Sequence, residues 1–481
     1  MKHIPKIKCT QNYKEDIIMD NKENKAYIES LVQKGRAAVE EISGYTQEQI
    51  DKMVQAISKA SMACAMEVAQ INLVETGMGN LQMLTGAASG AMLFYDGVKG
   101  QKSLGLIDED PVTGLRTYAK PMGVLCCTAP STTPVFNIVF VAINGLKSGN
   151  AVISCPHPNA KRCAVREVEI LRDALVSVGA PADLLQVIEE PTLESSGLLM
   201  EACDAIIAVG GAAMVKAAYS KGKPCFGVGQ GNVQTLMGKA YPNVDKMAKE
   251  IFESRIGSNG VPCTGEQTLW IHRDRHDEVF AAFQKLGADV ISDKATIDKM
   301  RKTFFDEKGI NRAIVGKRPK KALKAVGIEM EELNDSVQLL VVDLNSWGKD
   351  EPLAREIMFP ILRVNMYDDF QEAARLARAN LLIEGAGHSA GVWSQDEKEI
   401  DFAASTLPVG RLLVEQGGTN STGSFFNGLP FTNAVGCGTW GGNSISENLT
   451  FKHLRNFTKV ANLKNEGALM TTDFEKMMAC D

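Results

Sequence analysis

One loop of this 481-residue chain carries the residue types that covalent chemistry requires: Asn259-Gly260-Val261-Pro262-Cys263-Thr264-Gly265-Glu266-Gln267. A thiolate is a strong nucleophile, and glycines on both sides let the backbone come close to a ligand and present its amide N–H groups. Such groups are expected to lower the thiol pKa and to stabilise an oxyanion beside it. Cys263 is therefore the candidate nucleophile. Arg255, about two helical turns earlier, is either a partner for an anionic substrate tail or a surface salt-bridge residue. The other ten of the eleven cysteines form no C-x-x-C pair and no zinc-like spacing. They read as small buried hydrophobes in a reducing compartment. His272 and His276 have helical spacing, but arginines lie between them and no third ligand is in view, so no metal is expected.

The elements that must position this loop change period along the chain. From Asn21 to about Ala69 apolar residues recur near 3.6, and helices continue to about Lys99. After that, short apolar strands alternate with helices. The strands are Gly123–Thr128, Ala151–Cys155, Asp183–Glu189 and Ala205–Val209; the helices are Pro134–Lys147, Asn159–Val178, Leu193–Ala202 and Ala212–Lys221. This alternation predicts right-handed crossovers and a parallel sheet covered on both faces, with ligands at the carboxyl ends of its strands. After about Val233 a second α/β unit follows, with helices Val244–Arg255, His276–Leu286 and Phe370–Asn380 and strands Gln267–Ile271, Val337–Leu344 and Ile361–Met366. From Arg411 onward, Gly, Asn, Ser and Thr predict loops lining a site. Leu115–Lys120 alternates like an exposed hairpin arm that pairs with another subunit.

The fold class expected is α/β, with two doubly wound, Rossmann-like domains and a small oligomerisation arm. Residues 1–18 read as a flexible extension, 19–232 as a nucleotide-binding domain with the arm near 106–122, 233–425 as the domain carrying Cys263, and 426–481 as a segment returning to the cofactor domain and the oligomer interface. A net charge of −6 argues against nucleic acid as a partner. No apolar run reaches a membrane span, and the first 30 residues lack the apolar core of a secretory signal, so a cytoplasmic protein is expected.

Several segments together resemble the aldehyde dehydrogenase superfamily, and within it the coenzyme A-acylating branch. They are PSTTP (130–134), CPHPNAK (155–161), GG (210–211), GVGQGN (227–232), NGVPCTGEQ (259–267), REIMFP (355–360), EGAGHSAG (384–391) and GCGTWGGNSISENL (436–449). The likeness runs from about residue 20 to 460, and acylating succinate-semialdehyde, sulfoacetaldehyde and acetaldehyde dehydrogenases are the subgroups it looks most like.

The resemblance implies a residue-by-residue mechanism. Cys263 matches the family nucleophile, whose thioester passes to coenzyme A, and Glu356 falls where a family Glu holds the nicotinamide ribose. Hydrolytic members carry Glu-Leu-Gly-Gly, whose Glu activates water; the matching Gly227-Val228-Gly229-Gln230-Gly231 has no carboxylate, which favours transfer to a thiol. Thr133 stands where acylating relatives often place an oxyanion-binding Asn, and Asn137, one turn later, is the substitute candidate or a core amide. Pro130, Ser131, His157, Lys161, Gly210, Gly211 and Gly229 would line the cofactor. No acid follows the strand ending at Cys155, so Lys161 and Arg162 either receive the 2′-phosphate of NADP, favoured over NAD, or are solvated first-turn residues. His388 lies in a loop that would orient substrate or cofactor, or else is a packing histidine.

The expected reaction is aldehyde + coenzyme A + NAD(P)+ to acyl-coenzyme A + NAD(P)H, on a short aldehyde. The alternatives are a hydrolytic dehydrogenase releasing free acid, or an inactive homologue acting as a binding subunit. The family likeness implies homodimers or homotetramers, in the cytoplasm or inside a bacterial microcompartment to which residues 1–18 dock.

Overall fold

The computed structural model describes residues 21–307, 309–463 and 478; the expected extension 1–18 and the tail after 463, except for residue 478, lie outside the described residues. The amino-terminal helical stretch is two helices, α1 (Asn21–Glu41) and α2 (Gln47–Thr76). The break is local chemistry. Thr46 accepts from the Gln49 backbone N–H while the Gln49 side chain accepts from Thr46 N–H at 2.8 Å, a capping box that starts a new helix. Gly77, with φ of 66°, ends α2 in the left-handed conformation. Helices α3 (Leu81–Ala88) and α4 (Ala91–Val98) follow.

Strands β1 (Gly105–Glu109) and β2 (Arg116–Pro121) form an antiparallel hairpin, as the alternation predicted. The free side of β2, however, is taken by the last strand of the same chain, Arg455–Val460. β2 is thus the centre of a three-stranded sheet and has no edge to offer another subunit.

The first large sheet is parallel and ordered β5-β4-β3-β6-β7. It comprises β3 (Val124–Ala129), β4 (Ala151–Pro156), β5 (Leu185–Val187), β6 (Ala205–Val209) and β7 (Cys225–Val228). Its crossovers are α5 (Pro134–Lys147), α6 (Lys161–Ser177), α7 (Leu193–Ala202) and α8 (Ala212–Tyr219). Strand order reverses between β3 and β6, so the loops after those two strands flank a crevice of the kind that holds nucleotides. α5 lies tight on the sheet because Gly145 has no side chain: a Cβ there would come within 2.5 Å of Val152.

The second large sheet has seven parallel strands, ordered β10-β13-β14-β9-β8-β15-β16. In chain order these are β8 (Val233–Met237), β9 (Glu266–His272), β10 (Asp289–Ile291), then, after a short hairpin of β11 (Phe305–Asp306) and β12 (Gly309–Ile310), β13 (Leu340–Asp343), β14 (Ile361–Tyr367), β15 (Gly387–Trp393) and β16 (Val409–Val414). Its helices are α9 (Val244–Ile256), α10 (His276–Lys285), α11 (Lys294–Thr303), α12 (Pro319–Ala325), α13 (Phe370–Ile383) and α14 (Glu397–Thr406). Arg411, expected to open a loop region, lies inside β16 instead. The strand Arg455–Val460 is β17. Val435, Leu449, Phe451 and Leu454 of the preceding loops are buried in the core of the first sheet.

Candidate active site

The two sheets meet with opposite ends. The loops after β3, β4, β6 and β7 carry Pro130, Ser131 and Thr133, then His157 and Lys161, then Gly210 and Gly211, then Gly229, all at carboxyl ends. From the second sheet come the loops before β8, β9, β14 and β15, which carry Gly231, Cys263, Glu356 and Glu384 at amino ends. The parallel register explains the clustering of these: Val233 of β8 sits opposite Glu266 of β9, and Thr268 of β9 opposite Arg363 of β14.

Cys263 is half-buried and is fixed by contacts that leave no room for side chains. A Cβ on Gly231 would lie 2.0 Å from the Cys263 carbonyl oxygen, and one on Gly260, at φ +73°, would lie 2.3 Å from the Phe359 carbonyl carbon. Arg255 is wholly buried and ties the Cys loop to the segment before β14. It donates to the carbonyls of Gly260 (3.1 Å), Ile357 (2.5 Å), Phe359 (2.7 Å) and Ile361 (2.9 Å). Neither sequence reading of Arg255 holds: it is buried away from solvent, and its guanidinium is committed to the protein by four hydrogen bonds to backbone carbonyls. Arg363 braces the same segment from β14, donating to Gln267 Oε1 at 2.6 Å and to the Arg355 carbonyl at 2.8 Å. Asn259, at φ 54°, donates from Nδ2 to the Gly316 carbonyl at 3.0 Å.

Glu356 sits on the same contact. Its Oε1 accepts from Gly231 N–H at 3.2 Å, and its own N–H donates to Glu384 Oε2 at 3.0 Å. Glu384 in turn pairs with Arg355. Burial, then repulsion from Glu384, pushes the Glu356 carboxyl up to about 8, so it is largely protonated at neutral pH. Burial, then the Glu356 and Cys437 charges, pushes the Cys263 thiol up to about 12, against the lowering by its own backbone N–H and by Arg411. The loop's amide does act to lower this pKa, as expected, but desolvation outweighs it and the net shift is upward. Cys437 is buried beside Gly229, where a Cβ would meet its Sγ at 3.3 Å.

On the first sheet, Thr133 is the residue before α5 and its side chain makes no capping hydrogen bond, so its hydroxyl is uncommitted. Asn137 lies one turn deeper, wholly buried, with Oδ1 accepting from Cys127 Sγ at 3.3 Å and Nδ2 unpartnered. Its Oδ1 is committed to the core under β3, while its Nδ2 donor is left without a partner. Gly211 precedes α8 without a side-chain cap, and a Cβ on it would meet nothing within 4 Å. No side chain caps the first N–H groups of α8, and an uncapped helix N-terminus suits the diphosphate of a dinucleotide.

The carboxyl end of β4 differs from its sequence reading. Lys161 is paired with Glu190, and Glu75 of α2 accepts from the backbone N–H groups of Arg162 (2.9 Å) and Cys163 (3.1 Å). Acids are therefore present there, delivered by distant segments that local spacing cannot reveal. His388 is wholly buried within β15, Nδ1 beside Ser389 Oγ at 2.9 Å. Burial and Arg411 push its pKa down to about 3, which makes it a neutral packing histidine. Sequence reasoning passed over Arg363, Glu384, Arg411 and Cys437. For the two arginines the available signal was a cation inside a largely apolar strand, Ile361–Tyr367 and Val409–Val414. Among the described residues, no cluster of His, Cys, Asp or Glu could hold a metal, and no helix is long and apolar enough to cross a membrane.

Comparison with known proteins agrees with this geometry. The chain is 37% identical over 446 residues to a succinate-semialdehyde dehydrogenase (acetylating) of Clostridium kluyveri, covering 92% of this chain and 97% of that one. It is 34% identical to a sulfoacetaldehyde dehydrogenase of an Acholeplasma species, covering 90% of each. The crystal structure of an acetylating aldehyde dehydrogenase from Geobacillus thermoglucosidasius superposes with a TM-score of 0.89 at 31% identity, covering 94% of this chain and 99% of that one. The model of the aldehyde dehydrogenase family matches residues 2–452, and the chain belongs to that family.

Proposed function

We propose that the chain is a coenzyme A-acylating aldehyde dehydrogenase: aldehyde + coenzyme A + NAD(P)+ gives acyl-coenzyme A + NAD(P)H + H+. One observation carries the reading. The segment against Cys263 is glycine, with no carboxylate from residue 227 to 231, and the carboxyl beside it, Glu356, is held protonated near neutral pH. A protonated acid cannot take a proton from water, whereas an incoming thiolate needs no such base.

The Cys263 sulfur adds to the aldehyde carbon as the C=O π bond opens, and the thiol proton leaves to solvent. The Thr133 hydroxyl and the Cys263 N–H donate to the oxyanion. The nicotinamide, when bound, supplies the hydride acceptor that turns this adduct into a thioester. The coenzyme A thiolate then attacks the thioester carbon, and Cys263 leaves as its thiolate. Gly210 and Gly211 at the start of α8 would hold the cofactor diphosphate, with Pro130 and Ser131 lining the crevice. His157 and Lys161 would stand at the adenosine ribose, and Gly229 and Glu356 near the nicotinamide end. NADP or NAD would serve.

The substrate class is a short aldehyde such as succinate semialdehyde, sulfoacetaldehyde or acetaldehyde. We assign 19–232 to the cofactor domain, 233–425 to the catalytic domain and 426–481 to the returning segment, in a cytoplasmic homodimer or homotetramer. The test is to quench turnover with acid, digest, and weigh the peptides. The acyl mass is expected on the peptide containing Cys263; its appearance on another peptide refutes the reading.

A further inference from the structure

A narrow cavity lies between the end of α2, the start of α3 and the two loops that carry the reacting groups. Its walls include Asn72, Thr76 and Met78 on one side, Thr132 of the loop after β3, and Ser258 and Val261 of the cysteine loop. Thr132 precedes Thr133, the proposed oxyanion donor, and Val261 stands two residues before Cys263. The empty space amounts to about 210 Å³. Ser258 is held at φ 45° and Asn259 at φ 54°, left-handed conformations that are costly for residues with side chains and that cluster at functional sites. Ser258 N–H donates to Met83 Sδ at 3.2 Å and Asn259 Nδ2 to the Gly316 carbonyl, which fixes both.

The polar groups on these walls are neutral and partly unspent. Asn72 is 5% exposed; its Oδ1 accepts from the Thr76 hydroxyl at 3.3 Å, and its Nδ2 makes no hydrogen bond among the described residues. The hydroxyls of Thr132 and Ser258 are likewise unbonded among the described residues. Among those residues no charged side chain lines the cavity. Glu75, next to Thr76, spends both carboxylate oxygens on α6. Gly316 packs on the same wall, since a Cβ there would lie 3.2 Å from Val261 and 3.4 Å from Met78. Arg312, Lys317 and Arg318 of its segment are exposed, and none of them lines the cavity. A buried donor without an acceptor is costly, and a carboxylate or sulfonate taken into a neutral cavity finds no counter-charge. A hydroxyl satisfies the donor and brings no charge.

We propose that this cavity receives the tail of the aldehyde and selects a short, uncharged tail bearing a hydroxyl group, held by Asn72 and Ser258. The substrate class is then a small hydroxyaldehyde such as glycolaldehyde or lactaldehyde, in preference to succinate semialdehyde or sulfoacetaldehyde. The assignment rests on the reading above for the chemistry at Cys263 and narrows its substrate, but its test needs neither nicotinamide nor coenzyme A.

Without cofactor, the Cys263 sulfur adds reversibly to the aldehyde carbon while the thiol proton passes through solvent to the carbonyl oxygen, and the adduct shields the sulfur from iodoacetamide. The half-protecting concentrations of glycolaldehyde, acetaldehyde, lactaldehyde, propionaldehyde, succinate semialdehyde and sulfoacetaldehyde are measured on the intact protein and on its Asn72→Leu and Ser258→Ala variants. The two anionic aldehydes are expected to need concentrations about a hundredfold higher than glycolaldehyde. Hydroxylated and plain aldehydes differ in intrinsic reactivity, so the variants are read against the intact protein. The preference for glycolaldehyde over acetaldehyde, and for lactaldehyde over propionaldehyde, should fall about fivefold in each variant. Ser258→Ala removes one oxygen from a half-buried residue and keeps the test open if Asn72→Leu does not fold. Preferences unchanged in the folded variants, or an anionic aldehyde that protects as well as glycolaldehyde, overturn the proposal. The same panel followed as NAD(P)H formation with and without coenzyme A reports on acylation separately. Rates independent of coenzyme A refute the acylating reading, while the protection ranking still decides the cavity.

Discussion

The loop that carries Cys263 and the rim at the end of β4 are built on different physical principles. Around Cys263 buried side chains tie the segments together: Arg255 donates to four carbonyls, Arg363 locks Gln267 to the segment before β14, and glycines allow contacts no side chain could occupy. At the rim, charged groups sit in water and neutralise one another in exposed pairs such as Lys161 with Glu190. A reacting atom needs a position held to a fraction of an ångström, which buried hydrogen bonds enforce. A coenzyme phosphate needs charge, which exposed cations supply with tolerance for adjustment. The buried centre should therefore be brittle and the rim forgiving.

The sharpest way to break this contrast is at the sulfur. Cys263→Ala is expected to lower kcat by about a thousandfold or more, measured as NAD(P)H formation with coenzyme A present. Next comes the clamp. Arg255→Met leaves backbone carbonyls unpaired and is expected to cost on the order of 3–5 kcal/mol in urea unfolding. A loss below about 1 kcal/mol would show that the carbonyl clamp is dispensable.

The electrostatics of the centre can be sharpened through Glu356. A neighbouring carboxylate raises a thiol pKa, so Glu356→Gln removes a raising influence and increases the thiolate fraction at a given pH. Alkylation of Cys263 by iodoacetamide in the free enzyme should still be climbing above pH 9 in the wild type. It should be faster in the variant than in the wild type at pH 9, because the raising influence of the carboxylate is gone. Equal pH profiles would mean that the carboxylate does not act on the sulfur. The smallest effect belongs to the rim: Lys161→Gln should change unfolding free energy by less than about 1 kcal/mol, as expected for an exposed pair.

Sequence reading worked where structure is dictated locally. The alternation of short apolar strands and amphipathic helices gave the first sheet nearly strand for strand, with helix Leu193–Ala202 matched to the residue. The cysteine loop stood out because glycine and proline punctuate it. What escaped was fixed by distant partners. The split between α1 and α2 rests on a capping box inside an otherwise continuous apolar period, and the acids at α6 come from Glu75 and Glu190, remote in sequence. Arg255 looks like a surface cation until its carbonyl acceptors are brought in from more than 100 residues away. The thiol pKa was misread for the same reason, since burial is a property of the assembled sheets and not of the loop.

The central claim is that the thioester on Cys263 waits for a thiol because no group beside it readies water. Rapid mixing of enzyme with aldehyde and NADP, with and without coenzyme A, tests it most directly. The account predicts a burst of NADPH stoichiometric with Cys263 and then near-arrest when coenzyme A is absent, and sustained turnover when it is present. Equal steady-state rates in the two mixtures would contradict it.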